Sequence, residues 1–140
     1  MTTVPTLPTF EPAYVMDTNA LYWYLTGDKK LTPDAKAVIE AAEQGQTLLY
    51  ISVVSLAELY WILQKKPLAQ AFAQIYAEMK AKPYFEFVGL EPDQVLDFTQ
   101  DAAIPEMHDR IIVGIARRLK APLITSDTAI DTANIVKIVW

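Results

Sequence analysis

The chain has 140 residues, 52% of them hydrophobic, with four glycines; this excludes a disordered or fibrous protein and fits one folded domain over residues 1–140. It has no cysteine and a single histidine, His108, which excludes disulfides and thiolate metal sites and leaves little room for a zinc site or a Ser–His–Asp triad. The formal charge of −5 argues against a general nucleic-acid binder, although Lys29–Lys30, Lys65–Lys66 and the Arg110/Arg117/Arg118/Lys120 group form local basic patches.

Residues 1–12 are proline-rich and read as an irregular lead-in, without the basic and apolar regions of a secretion signal. No apolar run approaches the ~20 residues of a membrane helix. A cytoplasmic protein without membrane contact is expected. "YVMD" reads as a short strand, and "TNALYWYL" starts a helix directly after it. Thr32 before Pro33 is an N-cap followed by proline at the first helical position, opening a helix that stops at Gly45. "TLLYIS" is a second strand and "VVSLAELYWILQKK" a strongly apolar helix. Pro67 is expected to start another helix, whose 71/72/75/76/79 spacing gives one apolar face. "YFEFVGL" is a third strand and "EPDQVLDFTQDA" a short helix. "HDRIIVGIARRLK" is a helix with Ile111, Ile112, Ile115, Ala116 and Leu119 facing a core, followed by the strands "PLITSD" and "IVKIVW".

Strands alternating with helices imply a three-layer α/β/α sandwich around a mostly parallel sheet. In such sheets the functional crevice lies beyond the carboxyl ends of the strands. The acids that break the apolar pattern fall there. Asp17 is the only acid or base, tyrosines aside, between Pro12 and Gly27, and Glu58 the only charge from Gln44 to Gln64. Asp17 ends the first strand and Asp127 follows "PLITS", while Glu58 and Asp109 sit in helices that meet the same edge.

Each of these acids also has a purely structural reading. Asp17 and Asp127 can cap the helices that follow them. Glu58 stands three residues after Ser55, the spacing of a capping box. Asp109 is a first-turn acid of the kind a helix dipole favours. Together, however, four carboxylates at one crevice repel one another and raise each other's pKa values unless a cation sits between them. An oxygen-only donor set favours Mg²⁺ or Mn²⁺, and such an ion serves phosphodiester hydrolysis. Tyr22, Trp23, Tyr24, Tyr60 and Trp61 are candidates for base stacking, for the core or for an oligomer surface. Arg110 and Arg117, seven apart on one helix, are candidate phosphate contacts.

"VMDTNALYWYL", "ISVVSLAEL" and "MHDRIIVGIARRLKAPLITSD" with the trailing "TAI" resemble the PIN-domain ribonucleases, specifically the VapC-like toxins of toxin–antitoxin pairs, from about residue 13 to the end. The resemblance implies a Rossmann-like fold whose acidic quartet, matched by Asp17, Glu58, Asp109 and Asp127, binds Mg²⁺ or Mn²⁺ and cuts RNA. Glu58 would be a ligand or would orient the attacking water. Thr18 and Asn19 match the polar positions that support the first acid through hydrogen bonds. It also implies a homodimer and a small antitoxin whose C-terminal segment blocks the site. The alternatives are a PIN nuclease of RNA processing or DNA metabolism, and a non-catalytic PIN-like binding module; the intact quartet argues against the second.

Overall fold

The structure, a computed structural model, describes residues 10–140. Most of the expected lead-in, residues 1–9, lies outside the described residues; 10–12 are irregular as expected. Five strands follow: β1 (Ala13–Met16), β2 (Leu48–Ser52), β3 (Phe85–Val88), β4 (Leu123–Ile124) and β5 (Ile138–Val139). All pair in parallel, in the order β3-β2-β1-β4-β5. Parallel pairing forces a crossover after each strand, and the crossovers cover both faces of the sheet.

On one face Tyr14, Met16, Leu49, Ile51 and Ile124 pack under α1 (Thr18–Thr26), α2 (Pro33–Glu43), α3 (Val53–Lys65) and α4 (Phe72–Ala81). On the other, Val15 and Leu123 meet α6 (Met107–Leu119) and Ile130 of α7 (Thr128–Ala133). The alternation along β1, Tyr14 and Met16 one way and Val15 the other, is the two-residue period of a strand buried on both sides.

Several boundaries differ from expectation. α4 begins at Phe72 rather than after Pro67, because the intervening segment is a link between α3 and α4: Leu68 packs against the first core, and the Gln70 amide donates to Glu78 (2.9 Å). The single helix expected over 91–102 is a 3-10 turn (Pro92–Leu96) with a Glu91/Gln94 capping box, running into α5 (Asp97–Gln100). Leu119 does not face the core; it is 40% exposed, while Val113 and Gly114 are buried instead. The short helix α7 was legible only as a cap at Asp127. β4 ends at Ile124 because the next side chain, Thr125, turns to bond Asp17 across the sheet edge.

The order 3-2-1-4-5 reverses at β1. The chain builds outward through β2 and β3, then returns to the far side of β1 for β4 and β5. The crevice at such a reversal lies between the carboxyl ends of β1 and β4. Asp17 and Asp127 leave the sheet at that point.

Candidate active site

Asp17 follows β1 and is pinned from three sides. Its backbone N–H donates to the Ile124 carbonyl (3.1 Å), fixing it against β4. One carboxylate oxygen accepts from the Ala20 N–H (2.8 Å), so Asp17 is the N-cap of α1. The other accepts from the hydroxyl of Thr125, itself fully buried. Thr125 Oγ1 in turn accepts from the Asp127 N–H (3.1 Å), and Asp127 caps α7 through bonds from Ala129 (2.8 Å) and Ile130 (3.1 Å). One hydroxyl thus couples the two acids at the ends of β1 and β4. The capping readings of Asp17 and Asp127 hold, and they coexist with a place at the crevice.

Glu58 is not a capping-box glutamate. Ser52 caps α3 by accepting from Val54 N–H (3.0 Å), which puts Glu58 in the second turn, beyond the orphan N–H groups. Its Oε1 accepts from the Thr18 hydroxyl (2.7 Å) and its Oε2 lies 3.6 Å from His108 Nδ1. Asp109 is in the first turn of α6, whose N-cap Glu106 accepts from the Asp109 N–H (2.7 Å). With its amide so occupied, the Asp109 carboxylate is free of the capping task.

Asp17, Glu58, Asp109 and Asp127 share a cleft of about 180 Å³, closed by Thr18, Asn19, Ile62 and Ser126. Size does not single it out, since hollows of about 310 and 580 Å³ lie elsewhere; four acids with no lysine or arginine among its lining residues do, whereas the acids of the 580 Å³ hollow are accompanied by Lys29 and Lys36. Burial pushes the Asp17 carboxyl above its ordinary value; the bonds from Thr125 and Ala20 oppose this, and Asp127 and Glu58 add to it. Asp109 is pushed up to about 6, by burial first and then by Asp127, Glu106, Glu58 and Asp17. Both shifts come first from burial, with the neighbouring carboxylates adding a smaller push in the same direction that a cation would relieve.

Among the described residues no three carboxylate or imidazole groups stand at metal-holding separation. The acids therefore flank an open cleft rather than form a closed cage. Mg²⁺ is usually held by one or two carboxylates and keeps several waters, and for three of these acids to hold one ion their side chains would have to close in on it. The donor set and the strained ionisation fit a hard divalent cation.

Arg110 and Arg117 stand away from this cleft. Arg110 donates to the carbonyls of Ile104 (2.7 Å) and Phe98 (3.3 Å). Arg117 grips the buried Asp101 through two bonds (3.0 and 2.9 Å) and lies 3.1 Å from Asp97. Their donors hold the segment before α6 in place. Two residues of the site escaped the sequence reading, Thr125 and Glu106; His108, read from the sequence as a capping or packing residue, has its Nδ1 3.3 Å from Glu106. The hydroxyl two positions before Asp127, in "ITSD", was the available sign of the first.

A family model described as PIN domain matches residues 14–135. Among solved structures, the chain is similar to VapBC2 from Rickettsia felis bound to a DNA fragment from its promoter, at 16% identity and a TM-score of 0.62, over 90% of this chain and 96% of that one. It is also similar to FitAB bound to the IR36 DNA fragment (18%, 0.58, 89% and 92%) and to FitAcB from Neisseria gonorrhoeae (18%, 0.59, 89% and 95%). At these identities the likeness speaks for the fold. No curated protein matches the sequence.

Proposed function

From the premise that the chain belongs to the PIN-domain family, we propose that it is a divalent-metal-dependent endoribonuclease that hydrolyses RNA phosphodiester bonds, as the toxin of a toxin–antitoxin pair. The observation that carries this reading is the cleft at the β1/β4 reversal. Four carboxylates from four separate elements line it, and two of them are held above their ordinary pKa.

Asp17, Asp109 and Asp127 would hold Mg²⁺ or Mn²⁺, with Glu58 as a further ligand or as the carboxylate that orients the attacking water. The ion would supply positive charge to the phosphate oxygens and activate water for attack. The chain's own hydrogen bonds do the positioning. Thr125 and the Ala20 N–H hold the Asp17 carboxylate, and Thr18 holds Glu58 from the first turn of α1. Asn19 lies on the cleft wall beside them. The solved relatives that are two-component complexes support a small antitoxin as partner, and a homodimer completes the reading.

The test is cleavage of RNA by the purified protein with Mg²⁺, with Mn²⁺ and with EDTA. Cleavage that stops with chelator and leaves 5′-phosphate and 3′-hydroxyl ends is the expected result. Undiminished cleavage in excess EDTA removes the metal mechanism, and 2′,3′-cyclic phosphate ends would assign the attack to the RNA's own 2′-hydroxyl.

A further inference from the structure

We infer that Trp23 and Trp140, with Lys30, form a stacking subsite for a base of single-stranded RNA next to the acidic cleft. The inference rests on the nuclease reading and names where its substrate is gripped. Asn19 lines the cleft, and Trp23 follows it by four residues on α1, so the two side chains stand one above the other on the same helix face. Trp140 reaches the same place from the sheet. The Thr125 N–H donates to the Val139 carbonyl (3.3 Å), and the β4–β5 register (Ile124 beside Val139) sets residue 140 at the carboxyl edge beside Thr125, one residue before Ser126 of the cleft wall. The two indoles meet at 5.5 Å between centroids, tilted by 53°, and both remain partly exposed.

The cation on the ring itself suits a nucleic acid. Lys30 Nζ stands 5.6 Å from the Trp23 ring centroid, and the hollow of about 580 Å³ on that side of α1 is of mixed charge, with Lys29 and Lys36 beside Asp28, Glu40 and Glu43. In a chain of net charge −5 with an acidic cleft, the phosphates on either side of the cut need cations that the cleft lacks. A lysine over an exposed indole is held more weakly than a stacked base. An incoming base would therefore displace the ammonium onto the neighbouring phosphate, leaving aromatic and cation each with its preferred partner. Stacking is tolerant of sequence, so this subsite grips the strand and leaves the choice of cutting site to other contacts.

The experiment is titration with a short single-stranded oligoadenylate in EDTA at low salt. It is followed by anisotropy of the labelled strand and by tryptophan emission in a Trp61→Phe background, where Trp23 and Trp140 are the remaining tryptophans. Binding should quench the emission. Trp23→Ala and Trp140→Ala should each weaken binding about tenfold. Trp23→Phe, which keeps the ring packing, should lose threefold or less, and Lys30→Ala should reduce the salt dependence. With Mn²⁺ and a longer RNA, both alanine variants should raise KM and spare kcat. Bound strand with unchanged emission, or alanine variants that bind like wild type, overturns the subsite. So does a failure of oligoadenylate to bind at all, which would leave the indole pair to a protein partner. Binding with quenching but no cleavage sinks the nuclease reading and leaves the subsite standing; cleavage with unchanged KM in both variants does the reverse.

Discussion

At the level of single residues, two of the acids do two tasks, and substitutions can separate them. Asp17 is a helix cap that also sits in the cleft. Asparagine caps as well as aspartate, whereas alanine does not, so Asp17→Ala should lose about 1–2 kcal/mol of stability and Asp17→Asn much less. Both should abolish cleavage, as denaturant melts and the RNA assay would read. Asp109 has no capping task, and its pKa of about 6 against an ordinary 3.8 gives a pH signature. Between those two values the folded state keeps a proton that the unfolded chain has released. Metal-free stability should therefore fall as pH rises from about 4 to 6 and stay low above it. Asp17, shifted in the same direction, adds to the trend. Asp109→Asn should flatten this part of the melting-temperature profile in EDTA, hold or raise the pH 7 value, and shrink the shift produced by Mn²⁺. If wild type and variant trace parallel profiles and respond equally to Mn²⁺, the Asp109 carboxylate is a bystander.

Between elements, α6 delivers Asp109 to the cleft, and the ties that hold α6 were the least legible part of the sequence. Asp101 is fully buried and paired with Arg117, and Arg118 pairs with Asp97, binding α5 and the turn before it to α6. Gly114 makes room for this: a Cβ there would meet Asp101 Oδ2 at 3.2 Å. The helices themselves could be read from apolar spacing and caps, since those are local. Asp101 to Arg117 spans 16 residues and Thr125 to Asp17 spans 108, and no local pattern announces partners that far apart. Arg117, read as a phosphate contact, is a structural clamp for this reason. Asp101→Ala should cost about 1.5–3 kcal/mol, because it removes both hydrogen bonds that Arg117 makes to a buried carboxylate and leaves the guanidinium only Asp97. A loss below about 0.5 kcal/mol in urea melts would show that the clamp contributes little.

For the molecule as a whole, the alternation of apolar runs made the parallel sandwich legible. The order of its strands is a property of long-range packing and was not legible. The excess of aromatic residues on α3 was legible as well, and the structure shows where it goes. A chain of ring contacts runs from Trp61 to Tyr60, then Phe72, Tyr76 and Phe87, with centroids 5.4 to 6.4 Å apart. At its outer end Trp61 is 65% exposed, with Tyr60 at 42% and, two helical turns back on the same face, Val53 at 51%. Large exposed apolar surface of this kind marks an interface, and tryptophan is a frequent anchor in such surfaces. A second copy of the chain is the expected occupant. Light scattering at tens of micromolar should give about twice the 15.7 kDa of one chain. Trp61→Glu should return the protein to the monomer, since losing a central anchor typically costs about 2–4 kcal/mol of association, roughly 30- to 1,000-fold in Kd. Because the four acids of the cleft come from one chain, the monomeric variant should keep its metal-induced rise in melting temperature. A wild-type monomer at those concentrations, or a Trp61→Glu variant that stays dimeric, would remove α3 from the interface.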